Sequence, residues 1–368
     1  MSANTLGYPT GGGHLWVYLN WALGLRALGC DVIWLERIAP SRQDSLAARI
    51  AALRRRLAPY GFADRLAVCH APGVSVPAEV AKECLDLAAA AEADLLVNFR
   101  YGEPPEVVGR FRKSALIDID PGLLQLWVHE GWIRPAVYDA YFTTGETVGR
   151  PGALFPDLGI EWKYTPPCVS LDWWPRCAAP GETAFTTVAH WYGEVMGSGA
   201  DAFLNAKGEA FMSLLDLPRR TRQPLELALD LAADDPERRL LCEAGWRVRS
   251  SAAVAATPWE YQRYVQDSRG EFSCAKPSCA RLENAWISDR TLCYLASGRP
   301  AVVEHTGPSR ILPDGAGLFR FRGVEDAARC LEEVAADYER QCRLARSLAE
   351  DLFDARRGAR SVLERTLA

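Results

Sequence analysis

No apolar run in this 368-residue chain reaches the roughly 18–20 residues that a bilayer-spanning helix needs. The opening residues, MSANTLGYPTGGG, lack the charged-then-apolar order of a secretory signal, so the expected location is the cytoplasm. Among 11 scattered cysteines there is no Cys-x-x-Cys pair, and an odd number without metal spacing reads as reduced thiols, not as a disulfide framework or a metal site. Positive charge is not in excess: the net charge is −5, which argues against nucleic acid and anionic membrane surfaces as partners. No internal repeat or low-complexity segment is visible. Lysine is scarce, five residues against 37 arginines. What remains is an ordinary globular composition, 49% hydrophobic and 24% charged, long enough for two domains at roughly 100–200 residues each.

The apolar pattern alternates between helical and extended spacing. Leu15, Leu19, Ala22 and Leu23 recur at helical intervals, and Gly29 stands where that helix would end. The run Val32-Ile33-Trp34-Leu35 reads as a buried strand. Ser41 and Asp44 resemble a capping box before a helix whose face is Leu46, Ile50, Leu53 and Leu57. Residues 94–98, 115–119 and 141–144 predict further strands. Between 149 and 182 prolines and glycines break the rhythm, which marks a domain junction. Beyond it, strands are expected at 184–189, 225–229, 246–248, 271–275, 301–303 and 318–321, with helices between them. One long helix is expected over about 338–366. Strands separated by helices argue for βαβ units, hence an α/β chain with mostly parallel sheets and ligands at the carboxyl ends of the strands.

The polar residues at those ends are the candidates. Gly12 and Gly13 lead into the first helix, where a ligand could approach backbone N–H groups, or they are a flexible turn. The run is neither G-x-G-x-x-G nor a phosphate loop with its lysine. His14 could serve as a general base, and Asp118 and Asp120 could orient it, take a proton, hold a substrate hydroxyl or cap the next turn. Glu146 could accept a hydroxyl. Two of the five lysines, Lys207 and Lys276, fall at a helix start and a strand end; converging there, they would suit a diphosphate. Asp289 and Arg290 open a helix. Glu304 and His305 end a strand and could reach sugar hydroxyls. Thr306, Gly307 and Ser309 form a Thr-Gly-x-Ser turn expected to lead into another helix, a place for a phosphate. Twelve tryptophans, Trp16 among them, could stack on a sugar or planar aglycone or fill a core.

LASGRPAVVEHTGPS resembles the donor-binding core of GT-B glycosyltransferases, and GGGHLWVYLNWALGLRALGCDVIWLE resembles their amino-terminal opening. The phrases DIDPG, YFTTGE, FTTV, LDLP, GEFS-x-AK, SDR-x-x-x-YLASGRP and LPDGAGL are similar, in the same order, to those of a bacterial family-1-like glycosyltransferase group. The resemblance implies two Rossmann-like domains facing across a cleft: 1–165 for the acceptor, 166–345 for a nucleotide-diphosphate sugar, and a last helix, 346–368, returning to the first. It implies that Lys207, Lys276, Thr306, Gly307 and Ser309 hold the diphosphate, with Thr187, Asp289, Arg290, Glu304 and His305 also on the donor side. Gly12, Gly13, Trp16, Asp118 and Glu146 would face the acceptor, a small molecule of natural-product type, and His14 or Asp120 would be the base. No metal and no cofactor beyond the donor is implied. The chain departs from the pattern in lacking the E-x7-E signature of many retaining enzymes, and in reading Glu304-His305-Thr306-Gly307 where the bacterial group has QDTG. A UDP-sugar 2-epimerase and a non-catalytic sugar-nucleotide binder are the alternatives; oligomeric state is open.

Overall fold

The computed structural model describes residues 1–38, 46–70, 76–178, 181, 183–197 and 202–368; the expected cap at Ser41 and Asp44 lies outside them. The chain forms two compact units. The first comprises Met1–Gly149, Phe155–Pro166 and Ala355–Ala368, the second Arg150–Leu154 and Pro167–Asp354.

In the first unit the described strands are β1 (Ser2–Ala3), β2 (Trp34–Ile38), β3 (Leu66–His70), β4 (Leu96–Asn98), β5 (Ser114–Asp118), β6 (Ala140–Thr143) and β7 (Trp162–Tyr164). They build one parallel sheet in the order β3-β2-β1-β4-β5-β6-β7. Being covered on both faces, the strands are nearly continuous apolar runs, with Leu35, Ala67, Leu96 and Leu116 in one buried layer. The helix Gly12–Ala27 is buried on most of its circumference, which explains why its apolar residues are not confined to a stripe. It packs on the helix Ala355–Leu367 so closely that a Cβ on Gly24 would lie 2.6 Å from the Ala355 carbonyl oxygen. Strand β7 falls inside the segment expected to be a junction; its Pro- and Gly-rich flanks hid three extended residues that pair with β6.

The second unit contains β8 (Phe185–Ala189), the antiparallel pair β9 (Val195–Met196) and β10 (Phe203–Leu204), then β11 (Leu225–Leu229), β12 (Arg247–Ser250), β13 (Gly270–Ser273), β14 (Ala301–Glu304) and β15 (Leu318–Phe321). Its main sheet is again parallel, ordered β12-β11-β8-β13-β14-β15, around a core of Phe185, Leu227, Phe272, Val302 and Phe319.

Two expectations fail here. The long closing helix is two, Tyr338–Leu352 and Ala355–Leu367. Phe353 leaves helical geometry at φ −122°, ψ 10°, buries its ring, and gives its carbonyl to the Val169 N–H at 2.8 Å; that local pairing competes with helix continuation. Nor does the Thr306–Ser309 turn open a helix: residues 305–317 contain no helix, and the chain returns directly to β15.

Candidate functional site

An open parallel sheet binds ligands where neighbouring strands send their crossovers in opposite directions, at their carboxyl ends. In the second unit those strands are β8, continuing towards β11 and β12, and β13, continuing towards β14 and β15. Lys207 and Lys276 lie beyond these two ends. Lys207 is the first residue of the helix Lys207–Met212, and Lys276 precedes the helix Pro277–Arg281. The two helices pack together, and the Ser278 N–H donates to Asn205 Oδ1 at 3.0 Å, which ties one lysine loop to the other. Gly208 lets the helix start rest on Trp191: a Cβ there would meet the indole at 2.8 Å.

Lys207 is 9% exposed, and among the described residues its ammonium has no hydrogen-bond or ion-pair partner. Burial, then the neighbouring Arg290 and Lys276 charges, push its pKa down to about 7, against weaker opposing effects of Cys279 and Glu271. Arg290 donates from Nε to Glu271 at 2.7 Å and from Nη1 to the Val188 carbonyl at 3.1 Å, bridging β13 and β8. Glu304 accepts the Ala275 N–H at 2.9 Å; its carboxyl is raised by burial, partly offset by that bond and by Lys207. Asp289 begins the helix Asp289–Ala296 next to its cap, Ser288.

Other donor-side candidates have internal duties. Thr187 is a correction: it is wholly buried in the middle of β8, on the side of Phe185 and Ala189, within the apolar core. The 306–309 turn is held by bonds of its own. Thr306 donates to the Trp286 carbonyl at 2.6 Å, the Gly307 N–H donates to His305 Nδ1 at 3.0 Å, and Ser309 Oγ accepts the Ile311 and Leu312 N–H groups at 3.1 and 2.9 Å. Gly307 is required at φ +112°, where an added Cβ would strike the Glu283 backbone at 2.6 Å. His305 Nδ1 also accepts from Arg322 at 2.8 Å, so the ring proton sits on Nε2. Burial, with Arg320 and Arg322 nearby, lowers the His305 pKa.

In the first unit the corresponding strands are β1 and β4. The loop after β1 is held from both sides. Glu36 accepts the Thr5 and Leu6 N–H groups, the Thr5 hydroxyl and the Trp34 indole N–H, while Arg56 donates to the Tyr8 and Gly11 carbonyls at 2.9 and 2.8 Å. Gly12 is the buried first residue of the following helix and Gly13 is half-buried. His14 packs on Tyr8, ring centroids 4.0 Å apart, and its Nε2–H donates to the Asn4 carbonyl at 2.8 Å. A carbonyl only accepts, so the neutral ring keeps its basic lone pair on Nδ1. Burial lowers the His14 pKa; the Asn4 bond and the Asp120 charge oppose this and Arg56 reinforces it.

His14 and Asp120 thus lie within electrostatic reach of each other. Tyr101 accepts the Ile119 and Asp120 N–H groups, each at 3.0 Å, leaving its own proton for Asp120 Oδ2 at 3.1 Å. Asp118 does not join them as a ligand group. It is fully buried and accepts from Gln125 at 3.0 Å, Thr143 at 2.9 Å and the Asp120 N–H at 3.0 Å. Burial pushes its pKa up to about 7, against the hydrogen bonds from Gln125 and Thr143. Trp16 and Glu146 are further corrections: both are buried, Trp16 edge-on to Tyr60, and neither faces solvent as an acceptor platform. The sequence reading missed Glu36, Tyr101 and Glu271; a carboxylate inside a strand was the available signal for Glu36 and Glu271.

Among solved structures, the Anabaena protein HepE in complex with UDP and glucose superposes with a TM-score of 0.57 at 11% identity, covering 99% of this chain and 97% of that one. A glycosyltransferase from Rickettsia africae gives 0.54 at 11%, covering 99% and 96%. AviGT4, a glycosyltransferase involved in avilamycin A biosynthesis, gives 0.54 at 14%, covering 97% and 90%.

The fold is GT-B.

No protein-family model matches the chain, and no curated protein matches it in sequence. In this GT-B chain no described helix is long and apolar enough to cross a membrane.

Proposed function

We propose that the chain is a glycosyltransferase that moves a sugar from a nucleoside-diphosphate donor to a hydroxyl of a small, natural-product-type acceptor. One observation carries the reading: a buried ammonium, Lys207, with Lys276 and Arg290 as cationic neighbours and, among the described residues, no hydrogen-bond or ion-pair partner. A desolvated cluster of this sign favours the pyrophosphate of a bound donor and still more the additional negative charge that develops on it as it leaves. The GT-B fold, which the UDP-bound HepE shares, supports the same assignment.

The acceptor oxygen bonds to the anomeric carbon as the carbon–phosphate-oxygen bond breaks. The bond's electron pair leaves with the diphosphate, and the acceptor's proton passes to His14 Nδ1. Asp120 stabilises the imidazolium that forms. The leaving charge is met by Lys207, Lys276 and Arg290 rather than by a metal, and no further cofactor takes part. The free cysteines fit action in the cytoplasm.

The test is a thermal-shift series with UDP, dTDP and GDP, followed by product analysis with the sugar donor that binds. Stabilisation by one diphosphate, and transfer to an acceptor panel with slow hydrolysis in its absence, is the expected result. No shift with any nucleotide, or a new sugar isomer from donor alone, overturns the reading.

A further inference from the structure

Beyond the His14 and Asp120 pair, the carboxyl end of the first sheet holds a second cluster. Arg37, on β2, and Arg100, just after β4, flank Glu103, each Nε 3.8 Å from one of its oxygens. Glu103 is fully buried, whereas the two arginine side chains keep 18% and 17% of their exposure, so their outer edges reach solvent. Ser2 and Cys69 add hydrogen bonds to Glu103 at 3.4 and 3.7 Å. One carboxylate therefore faces two guanidinium groups; burial raises its pKa, against the opposing charges of Arg100 and Arg37.

The arginines are only partly engaged. Arg37 Nη2 donates to the Gly102 carbonyl at 3.1 Å and Arg100 Nη1 to Asn4 Oδ1 at 2.9 Å. Both Nε atoms are buried without a hydrogen bond, and among the described residues neither Arg37 Nη1 nor Arg100 Nη2 has one. Burial, then the Arg100 charge, lowers the Arg37 pKa. A structural ion pair would saturate its donors. Among the described residues this one leaves a net positive, half-desolvated fork with N–H groups to spare, which is the chemistry that recognises planar or tetrahedral oxyanions. Asn4 joins the fork to the candidate base: its side-chain oxygen accepts from Arg100 and its main-chain carbonyl from His14.

We infer that Arg37 and Arg100 are the receptor for an oxyanion, a carboxylate or phosphate, carried by the acceptor. This rests on the glycosyltransferase reading and adds to it the substrate class: an anionic acceptor, with Asn4 setting the distance between its charged group and the hydroxyl near His14. Glu103 is a positioning residue that spaces the two guanidinium groups.

The test is calorimetric binding to the full chain in the presence of UDP, with glucose, glucose 6-phosphate, glucuronate and inorganic phosphate as probes at constant ionic strength. The expected result is that at least one anionic sugar binds tenfold or more tightly than glucose. Phosphate alone competing with it would place the recognition in the anion, and preference for glucuronate over glucose 6-phosphate would select the carboxylate. Arg37→Gln or Arg100→Gln should reduce the anionic sugar to the affinity of glucose while leaving UDP affinity unchanged, and Glu103→Gln should tighten it. Equal binding of charged and neutral sugars by the wild-type protein overturns the inference, whether or not a variant folds; so does undiminished binding by both folded arginine variants. Loss of UDP binding by the wild-type protein would instead strike the donor reading.

Discussion

Arg290 donates its Nε–H to Glu271 at 2.7 Å, and the pair spans the place where the second sheet divides. Glu271 is buried in β13, while Arg290 also reaches the β8 carbonyl of Val188. Removing the carboxylate would leave a buried guanidinium without its counter-charge. Glu271→Gln is expected to lower stability by about 3–5 kcal/mol in urea denaturation. A loss under about 1 kcal/mol would mean the pair is bathed in water and contributes no more than a surface bridge.

On the proposed reading, Lys207 should make nucleotide binding proton-linked. Its pKa of about 7 leaves it partly neutral at physiological pH, and an anion beside it restores the charged form. UDP binding near pH 7 is therefore expected to take up protons, read as calorimetric heats that change with buffer ionisation enthalpy. Affinity should be level below pH 7 and fall above it. Lys207→Met should weaken UDP by about 1–3 kcal/mol. Because the unfolded lysine holds its proton up to the ordinary lysine value of 10.5, the same variant should be at least as stable as the parent at pH 7 and below. Buffer-independent heats would contradict the placement.

Gly208 tests the packing behind that lysine. An alanine methyl would lie 2.8 Å from the Trp191 indole, so the helix start must shift. Gly208→Ala is expected to cost about 1–3 kcal/mol and to weaken UDP in parallel. Unchanged melting temperature together with unchanged UDP affinity would show that the contact relaxes freely.

His14 should leave its mark on the acid side of the rate profile. Its pKa is lowered by burial and the proposed reaction uses the neutral ring, so kcat should be level at neutral pH and decline as pH falls through that lowered value. His14→Ala should reduce kcat by about 10²–10⁴-fold with UDP affinity intact. A parent-like rate in that variant would assign the proton to another group.

Asp118 makes a stability prediction. Its pKa is raised from 3.8 to about 7, so the folded state binds the proton more tightly than the unfolded state. The stability this supplies is full below 3.8 and is lost as pH rises through 7. Asp118→Asn should flatten that part of the stability curve while keeping an acceptor for Gln125 and Thr143. An unaltered slope would mean that the carboxyl titrates normally.

Reading the chain in one dimension went far for the layers and less far for the chemistry. Runs such as Ala301-Val302-Val303 and the helical spacing of Leu46, Ile50, Leu53 and Leu57 show which side chains leave water, and that suffices for two parallel α/β units. The scarcity of lysine singled out Lys207 and Lys276. By contrast, Thr306 and Gly307 look like part of a phosphate turn, but the Thr306 hydroxyl and the Gly307 N–H are already given to the Trp286 carbonyl and to His305. Trp16 and Thr187 look available in a linear reading and are buried.

The alternation of apolar residues, then, was enough for most element types, because each element's burial pattern is largely written in its own residues. Which charges meet was settled by folding alone. Lys207 and Arg290, or Arg37 and Arg100, stand 83 and 63 positions apart. They approach because crossovers place particular strand ends side by side, and no local periodicity records which strands become neighbours.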